Sequence, residues 1–344
     1  MLREGFSTTP SSPFALALCQ PGMERWLKDE VAKERKDLTP AYQRPGCVTF
    51  RSNDRPFDAR DVVNTVFARM WAASLGLAAD PDAVHRLVKD FGARHLFLTH
   101  RDLAPPGEVA PARLAEAERD VETWRDALLE HGTFTLDAPA EGDLVADVIT
   151  APGDPALVGI HFHGPDRHQD PGARPKLVPP KGTPSRAWAK LEEGLRWSRA
   201  PLARGDRVLE IGASPGGGTR ALVDRGLVVT AVDPQPLDPS LHERVEWIRR
   251  HIGDVADSRL PKDARWIVCD ANIPPTDALG AIARVLEGLR DVEGLFWTLK
   301  LTDDAALEKL DRTLRRIAEL GFARVMATQL ASNGHEVFVA AFRH

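Results

Sequence analysis

Cysteine is scarce in this chain. Cys19, Cys47 and Cys269 are the three in 344 residues, far apart and without a Cys-x-x-Cys pair. Disulfide frameworks and zinc ribbons need closely spaced pairs, so neither is expected, and a reducing cytoplasm is the expected compartment. No run approaches the ~18 consecutive apolar residues that span a bilayer, which argues against a transmembrane helix. The run from Pro13 to Cys19 is short for the apolar core of a secretion signal and has no basic stretch directly before it. Positive charge is not in excess: 45 Lys and Arg against 50 Asp and Glu give a formal net charge of −5. Binding of nucleic acid through bulk charge is excluded, but a local patch of a few Lys and Arg is not. Internal repeats and low-complexity runs are also missing.

What remains is ordinary globular composition, 43% hydrophobic and 28% charged. At roughly 150 residues per domain, the length suggests about two domains. The first ten or so residues, rich in Ser, Thr and Pro, read as a loose tail. Strands are expected over 14–19, 46–50, 94–100, 144–149 and 156–162, the last two around the turn Pro152-Gly153-Asp154. Apolar spacing predicts helices over 24–33, from Val62 to Trp71, and over 111–131. The first half is therefore read as a small α+β assembly. From Gly164 to Gly182 the composition turns to Pro, Gly, Asp, His and Lys, as in a linker. The expected division is an N-terminal region over 1–165, a linker over 166–184 and a second domain over 185–344.

In that second domain strand and helix alternate. Strands are expected at 207–211, 227–232, 245–248, 264–269, 294–299, 323–327 and 336–342, with helices near 217–224, 276–290 and 304–319. The pattern is α/β and Rossmann-like: a mainly parallel sheet with helices on both faces. The last two strands, joined through Asn333-Gly334, read as an antiparallel hairpin.

Chemistry-bearing residues gather at the strand ends. Leu209-Glu210-Ile211-Gly212-Ala213-Ser214-Pro215-Gly216-Gly217 is a strand running into a glycine loop that opens a helix. Gly212, Gly216 and Gly217 let backbone approach a ligand that a Cβ would exclude. The G-x-x-x-G-G spacing is neither G-x-G-x-x-G nor a phosphate-binding P-loop, which disfavours a nicotinamide oxidoreductase. Asp233, ending the next strand, has the place of a carboxylate that takes ribose hydroxyls, or of a simple turn Asp. Asp254 is a candidate for an adenine amino group or, again, a turn residue, with His251 beside it. Asp270 and Lys300 each end a strand, Glu336 begins one, and Lys190 lies on the helix before the glycine loop. Singly, each is read as an exposed strand-end charge or a helix ion pair.

Taken together, Ser185-Arg186-Ala187-Trp188-x-Lys190-Leu191, the Gly212-to-Gly217 loop, Asp270, Lys300 and Glu336 resemble the FtsJ-type ribose 2′-O-methyltransferases in order and spacing. Within that family the likeness is closest to members that methylate a cytidine of 23S rRNA. It extends to Leu18-Cys19-Gln20-Pro21-Gly22-Met23-Glu24 and Val66-Phe67-Ala68-Arg69-Met70-Trp71. The resemblance implies a THUMP-type RNA-binding module followed by an S-adenosylmethionine-dependent methyltransferase domain. It implies a catalytic tetrad of Lys190, Asp270, Lys300 and Glu336. Cofactor contacts would come from Ser185, Gly212, Ala213, Ser214, Pro215, Gly216, Gly217, Asp233, Asp254 and Asp270. Two places depart from the pattern: Gly218 stands where many relatives carry Trp, and Thr302-Asp303-Asp304 is acidic where basic residues are usual.

A ribose hydroxyl is a poor nucleophile near neutral pH, so a positioned base assists its attack. Lys300 is the candidate, with burial and the Lys190 cation expected to lower its pKa and the two carboxylates orienting the lysines. RNA contact is expected from Arg174, Lys176, Lys181, Arg186, Arg196 and Arg199. His161, His163 and His168 read as a polar loop rather than a metal site, and no metal is expected. The expected protein is cytoplasmic, without membrane association, and a monomer. Two alternatives stay open: the same chemistry on another acceptor such as tRNA, and a non-catalytic RNA-binding or ribosome assembly factor that keeps the fold.

Overall fold

The computed structural model describes residues 10–301 and 303–344; the expected N-terminal tail and Thr302 lie outside the described residues. The chain divides into two compact units, Met1–Pro175 and Lys176–His344. Among the described residues no helix is long and apolar enough to cross a membrane.

Unit 1 contains β1 (Ser11–Ser12), β2 (Phe14–Leu18), α1 (Glu24–Glu34), β3 (Leu38–Arg44), β4 (Cys47–Ser52), β5 (Phe57–Asp58) and β6 (Met70–Ala78). It continues with α2 (Pro81–Val88), β7 (His95–His100), α3 (Pro111–Glu130), β8 (Leu144–Ala151) and β9 (Asp154–Phe162). Seven strands form one sheet in the order β3-β4-β2-β6-β9-β8-β7, and β1 pairs with β5 in a short separate ladder. Leu16, Leu18, Met70, Ala72, Ile149 and Leu157 pack into a core beside it.

The helix expected from Val62 to Trp71 does not form. The backbone N–H groups of Val66 and Phe67 donate to the Glu30 carboxylate at 3.0–3.1 Å, and that of Arg69 donates to Leu18 O. A side chain from α1 thus satisfies donors that a helix would use internally, and the chain enters β6 at Met70. Besides β6 and the two-residue strands β1 and β5, two further elements of unit 1 escaped the sequence reading. Strand β3 is an edge strand, mostly exposed, with an irregularity at Pro40. Helix α2 carries an Asp80 cap on Ala83 N and Pro81 in its first turn, a start signal that was present to be read.

The stretch expected to be linker is, up to Pro175, built into unit 1. Arg167 donates to the carbonyls of Trp71 and Ala59 at 3.0 and 2.6 Å. Arg174, expected to meet RNA, is turned onto Asp102 and His100 instead.

Unit 2 contains α4 (Ala187–Ser198), β10 (Arg207–Ile211), α5 (Gly217–Asp224), β11 (Val228–Val232), β12 (Glu246–Ile248) and β13 (Trp266–Cys269). It ends with α6 (Pro275–Gly288), β14 (Gly294–Lys300), α7 (Asp304–Glu308), α8 (Leu310–Glu319), β15 (Arg324–Thr328) and β16 (Glu336–Phe342). The seven-stranded order is β12-β11-β10-β13-β14-β16-β15. Pairs from β12 to β14 are parallel, and β16 runs antiparallel to both its neighbours. Asn333-Gly334 lies within a longer connection in which Asn333 Oδ1 accepts from Leu330 N and Gln329 donates to Gly334 O. The strand order reverses at β10, whose neighbours are β11 and β13, and the C-terminal edge there is where open α/β sheets hold ligands.

Candidate active site

Three elements of unit 2 bring the four charged residues together. Lys300, the last residue of β14, pairs directly across the ladder with Glu336, the first of β16. Asp270 follows β13, the parallel neighbour of β14, and its N–H is fixed to Ile211 O. Lys190 comes from α4, which approaches β16 closely because residue 194 is glycine. A Cβ there would lie 2.3–2.5 Å from the Phe338 ring. Four residues of helix and two of strand advance by nearly the same length, about 6 Å and 6.6 Å. The Gly194–Phe338 contact therefore sets Lys190 over Glu336. The Glu193 carboxylate ties α4 down further by accepting from Ala331 N and Ser332 N at 2.8 and 2.9 Å.

The result is a continuous chain of alternating charge. Lys300 Nζ donates to Asp270 Oδ1 at 2.6 Å and to Glu336 Oε1 at 2.7 Å, and Lys190 Nζ lies 2.5 Å from Glu336 Oε2. The four side chains are between 13% and 20% exposed, so solvent screens them little. The expectation of a lowered Lys300 pKa is corrected here. Burial does act to lower it, but the carboxylates of Asp270 and Glu336 outweigh burial and hold the ammonium above its ordinary value. Burial raises Asp270, against the opposing pull of Lys300. For Glu336, burial is outweighed by the two lysines, and its carboxyl sits below the usual range.

Beside the tetrad is a cleft lined by Glu210, Gly212, Ser214, Asp270, Thr298 and Phe338 among others. Gly212, at φ +81°, presses against the Asp270–Ala271 peptide: a Cβ would meet Ala271 N and Cα at 2.4 Å. Gly216 has φ +114°, and a Cβ on Gly217 would strike Ser185 Oγ at 2.2 Å. Ser185 thus packs on the glycine loop while its hydroxyl accepts from Ala187 N at the start of α4. Ala213 is buried in the core, and the Ser214–Pro215 peptide is cis. Asp233 accepts from Ser214 N at 3.1 Å and from Gln235 N at 2.8 Å, so it clamps the loop as a turn Asp does. Asp254 is exposed on a single turn after β12, outside the cleft lining given above.

Glu210 was missed by sequence reasoning. It lies in β10, 2% exposed, and burial pushes its carboxyl up to about 8, with the hydrogen bond from Thr219 opposing. The signal was a lone Glu inside an apolar strand. A Cβ at Gly218 would come within 2.6 Å of Glu210 Oε1. Lys176, Lys181, Arg186, Arg196 and Arg199 of the expected basic set are all exposed in unit 2. Asp303, one of the acidic pair, caps α7 by accepting from Ala306 N.

Unit 2 thus combines a mainly parallel sheet, a glycine loop at its switch point and this charged tetrad. Residues 183–337, most of unit 2, match the model of the FtsJ-like methyltransferase family. The particular proteins this chain is similar to share one name, Ribosomal RNA large subunit methyltransferase M. That from Halorhodospira halophila is 34% identical over 50% of this chain and 51% of its own length. That from Edwardsiella ictaluri is 33% identical over 48% and 46%. A third, from Teredinibacter turnerae, is 29% identical over 83% of this chain and 85% of its own. The chain thus spans about half the length of the first two relatives.

Proposed function

We propose that this protein is an S-adenosylmethionine-dependent ribose 2′-O-methyltransferase of RNA, with a cytidine of 23S rRNA as its acceptor. Unit 1 is read as the THUMP-type module that binds that RNA, and the exposed Lys and Arg around 176–199 as its phosphate contacts. The expected setting is the cytoplasm and the expected form a monomer. The observation that carries the reading is the Lys190–Glu336–Lys300–Asp270 chain at the mouth of the glycine-loop cleft.

The cleft fits the cofactor: its floor is backbone that admits no Cβ at 212, beside polar Ser214 and a strand-end carboxylate. S-adenosylmethionine, when bound, supplies an electrophilic methyl group and a positive charge beside the tetrad. Gly212, Ala213, Ser214, Pro215, Gly216 and Gly217 would form the cradle, steadied by Ser185. Asp233 would offer its remaining lone pairs to the ribose hydroxyls. Lys300 removes the proton of the acceptor 2′-hydroxyl, for which it must first be neutral. Asp270, 2.6 Å away and raised by burial, is the neighbour placed to take the ammonium proton. Lys190 and Glu336 hold Lys300 in line, and positioning of this kind supplies much of the rate.

The test is transfer of tritiated methyl from S-adenosylmethionine to protein-free 23S rRNA, with Lys300→Ala as control. The expected result is 2′-O-methylcytidine in the nucleoside digest, lost in the variant. Incorporation into tRNA but not rRNA overturns the substrate. No incorporation into any RNA by protein that binds the cofactor overturns the activity.

A further inference from the structure

Unit 1 holds a second cluster of reactive groups with no part in the chemistry above. Asp147 on β8 is in register with Gly159 on β9, so His161, two residues further along, lies on the same sheet face. His168, from the segment after β9, folds back onto both. The polar-loop reading of these histidines is corrected: His161 is a strand residue with no exposure, Asp147 is 1% exposed, and the His168 side chain 3%. His161 Nδ1 is 2.6 Å from Asp147 Oδ2, and His168 Nε2 is 3.5 Å from Asp147 Oδ1. Phe97 walls one side, its ring 5.7 Å from that of His161 and 5.8 Å from that of His168.

The Nε2 atom of His161 lies buried without a hydrogen-bond partner, and His168 Nε2 has the 3.5 Å approach to Asp147 Oδ1. Buried polar atoms are rarely left so, because an unmatched one costs of the order of 1–3 kcal/mol. A hydrogen-bonded trio alone does not account for the orphaned His161 Nε2. A metal ion does. We infer that Asp147, His161 and His168 form a binding site for a divalent transition metal, zinc being the expected occupant, which fastens the segment after β9 to the sheet.

Two imidazoles and a carboxylate are a common donor set for this ion, with a fourth position left for water. One donor atom from each residue already lies within 4.8 Å of the other two. Ligands on one zinc stand at most about 4.2 Å apart, so the three donors lie near the spacing of a coordination site. Arg167 opposes the cation from next door, but its guanidinium is already committed to two carbonyls.

The test uses the full chain, stripped with chelator and titrated calorimetrically with zinc ion alone. One equivalent is expected, with a rise in Tm of about 5–10 °C at a hundredfold excess over Kd. Cobalt ion should give visible d–d bands of a tetrahedral or five-coordinate site. His168→Ala should weaken zinc at least ~100-fold and abolish the bands. Because that variant leaves a buried hole, Asp147→Asn, nearly unchanged in shape, serves as the second and should lose the metal while keeping its circular dichroism. No zinc binding by the wild type up to hundreds of micromolar (roughly a thousandfold weaker than a structural site) overturns the inference. Equal binding by wild type and folded Asp147→Asn does so too.

Discussion

Substitution of Gly194 by Ala tests whether the approach of α4 to β16 sets the tetrad. Ala is normally the better helix residue by ~1 kcal/mol, so on propensity alone the variant should be more stable. The geometry predicts otherwise. The added Cβ would lie 2.3–2.5 Å from three atoms of the Phe338 ring, and ordinary contact starts near 3.4 Å. Phe338 cannot simply turn aside: it is 1% exposed, stacked on Phe296 and edge-on to Trp197. Helix and strand must part by about 1 Å, and overpacking of this kind costs roughly 1–3 kcal/mol. Net of the propensity gain, stability should fall by about 0–2 kcal/mol, a few degrees in Tm. The larger effect is on rate, because the same displacement draws Lys190 away from Glu336, now 2.5 Å apart. A misplacement of about 1 Å can cost up to ~10²-fold in turnover. Initial rates of methyl transfer beside a thermal melt decide the matter. Phe338→Leu added to Gly194→Ala should recover part of both losses. A single variant with raised Tm and unchanged kcat would refute the reasoning.

Lys300→Ala should lower methyl transfer by ~10²–10⁴-fold while cofactor affinity, read by calorimetry, is retained. Because the folded protein holds the Lys300 ammonium above its ordinary pKa, the neutral base is the minor form at pH 7. The rate should therefore climb with pH across 7–9, and Glu336→Gln should move that climb to lower pH; a flat wild-type profile speaks against Lys300 as the base. Glu210, with a folded pKa of about 8 against 4.5 for the free group, contributes stability below pH 4.5 that is lost as pH rises through 8. Glu210→Gln should then have little effect on Tm at pH 5 and raise it at pH 9, whereas a difference independent of pH would contradict the assignment. Gly212→Ala combines a positive φ with backbone overlap at 2.4 Å, and a urea titration should show a loss of about 3 kcal/mol or more.

Unit 2 was legible for a physical reason. Its strands are short apolar runs closed by Gly, Pro or a charge, and a charge that ends such a run sits at the sheet edge where ligands bind. Asp270 and Lys300 could be read that way, and so could the glycine loop. The Lys300 proton affinity could not, since it depends on two carboxylates at 2.6 and 2.7 Å whose distances no spacing encodes. The false helix over 62–71 failed because Glu30, distant in sequence, takes the N–H groups of Val66 and Phe67. Asp147 was passed over in the same way: it meets His161 only through the β8–β9 register.

The ladder that joins Lys300 to Glu336 has a further consequence. The chain leaves β14 at one member of the pair and returns beside it at the other, after passing through α7, α8 and the edge strand β15. The helices α7 and α8 therefore form a detour that lies outside the ladder setting the Lys300–Glu336 distance. A designer could vary the surface of this segment while leaving the Lys300–Glu336 ladder in place.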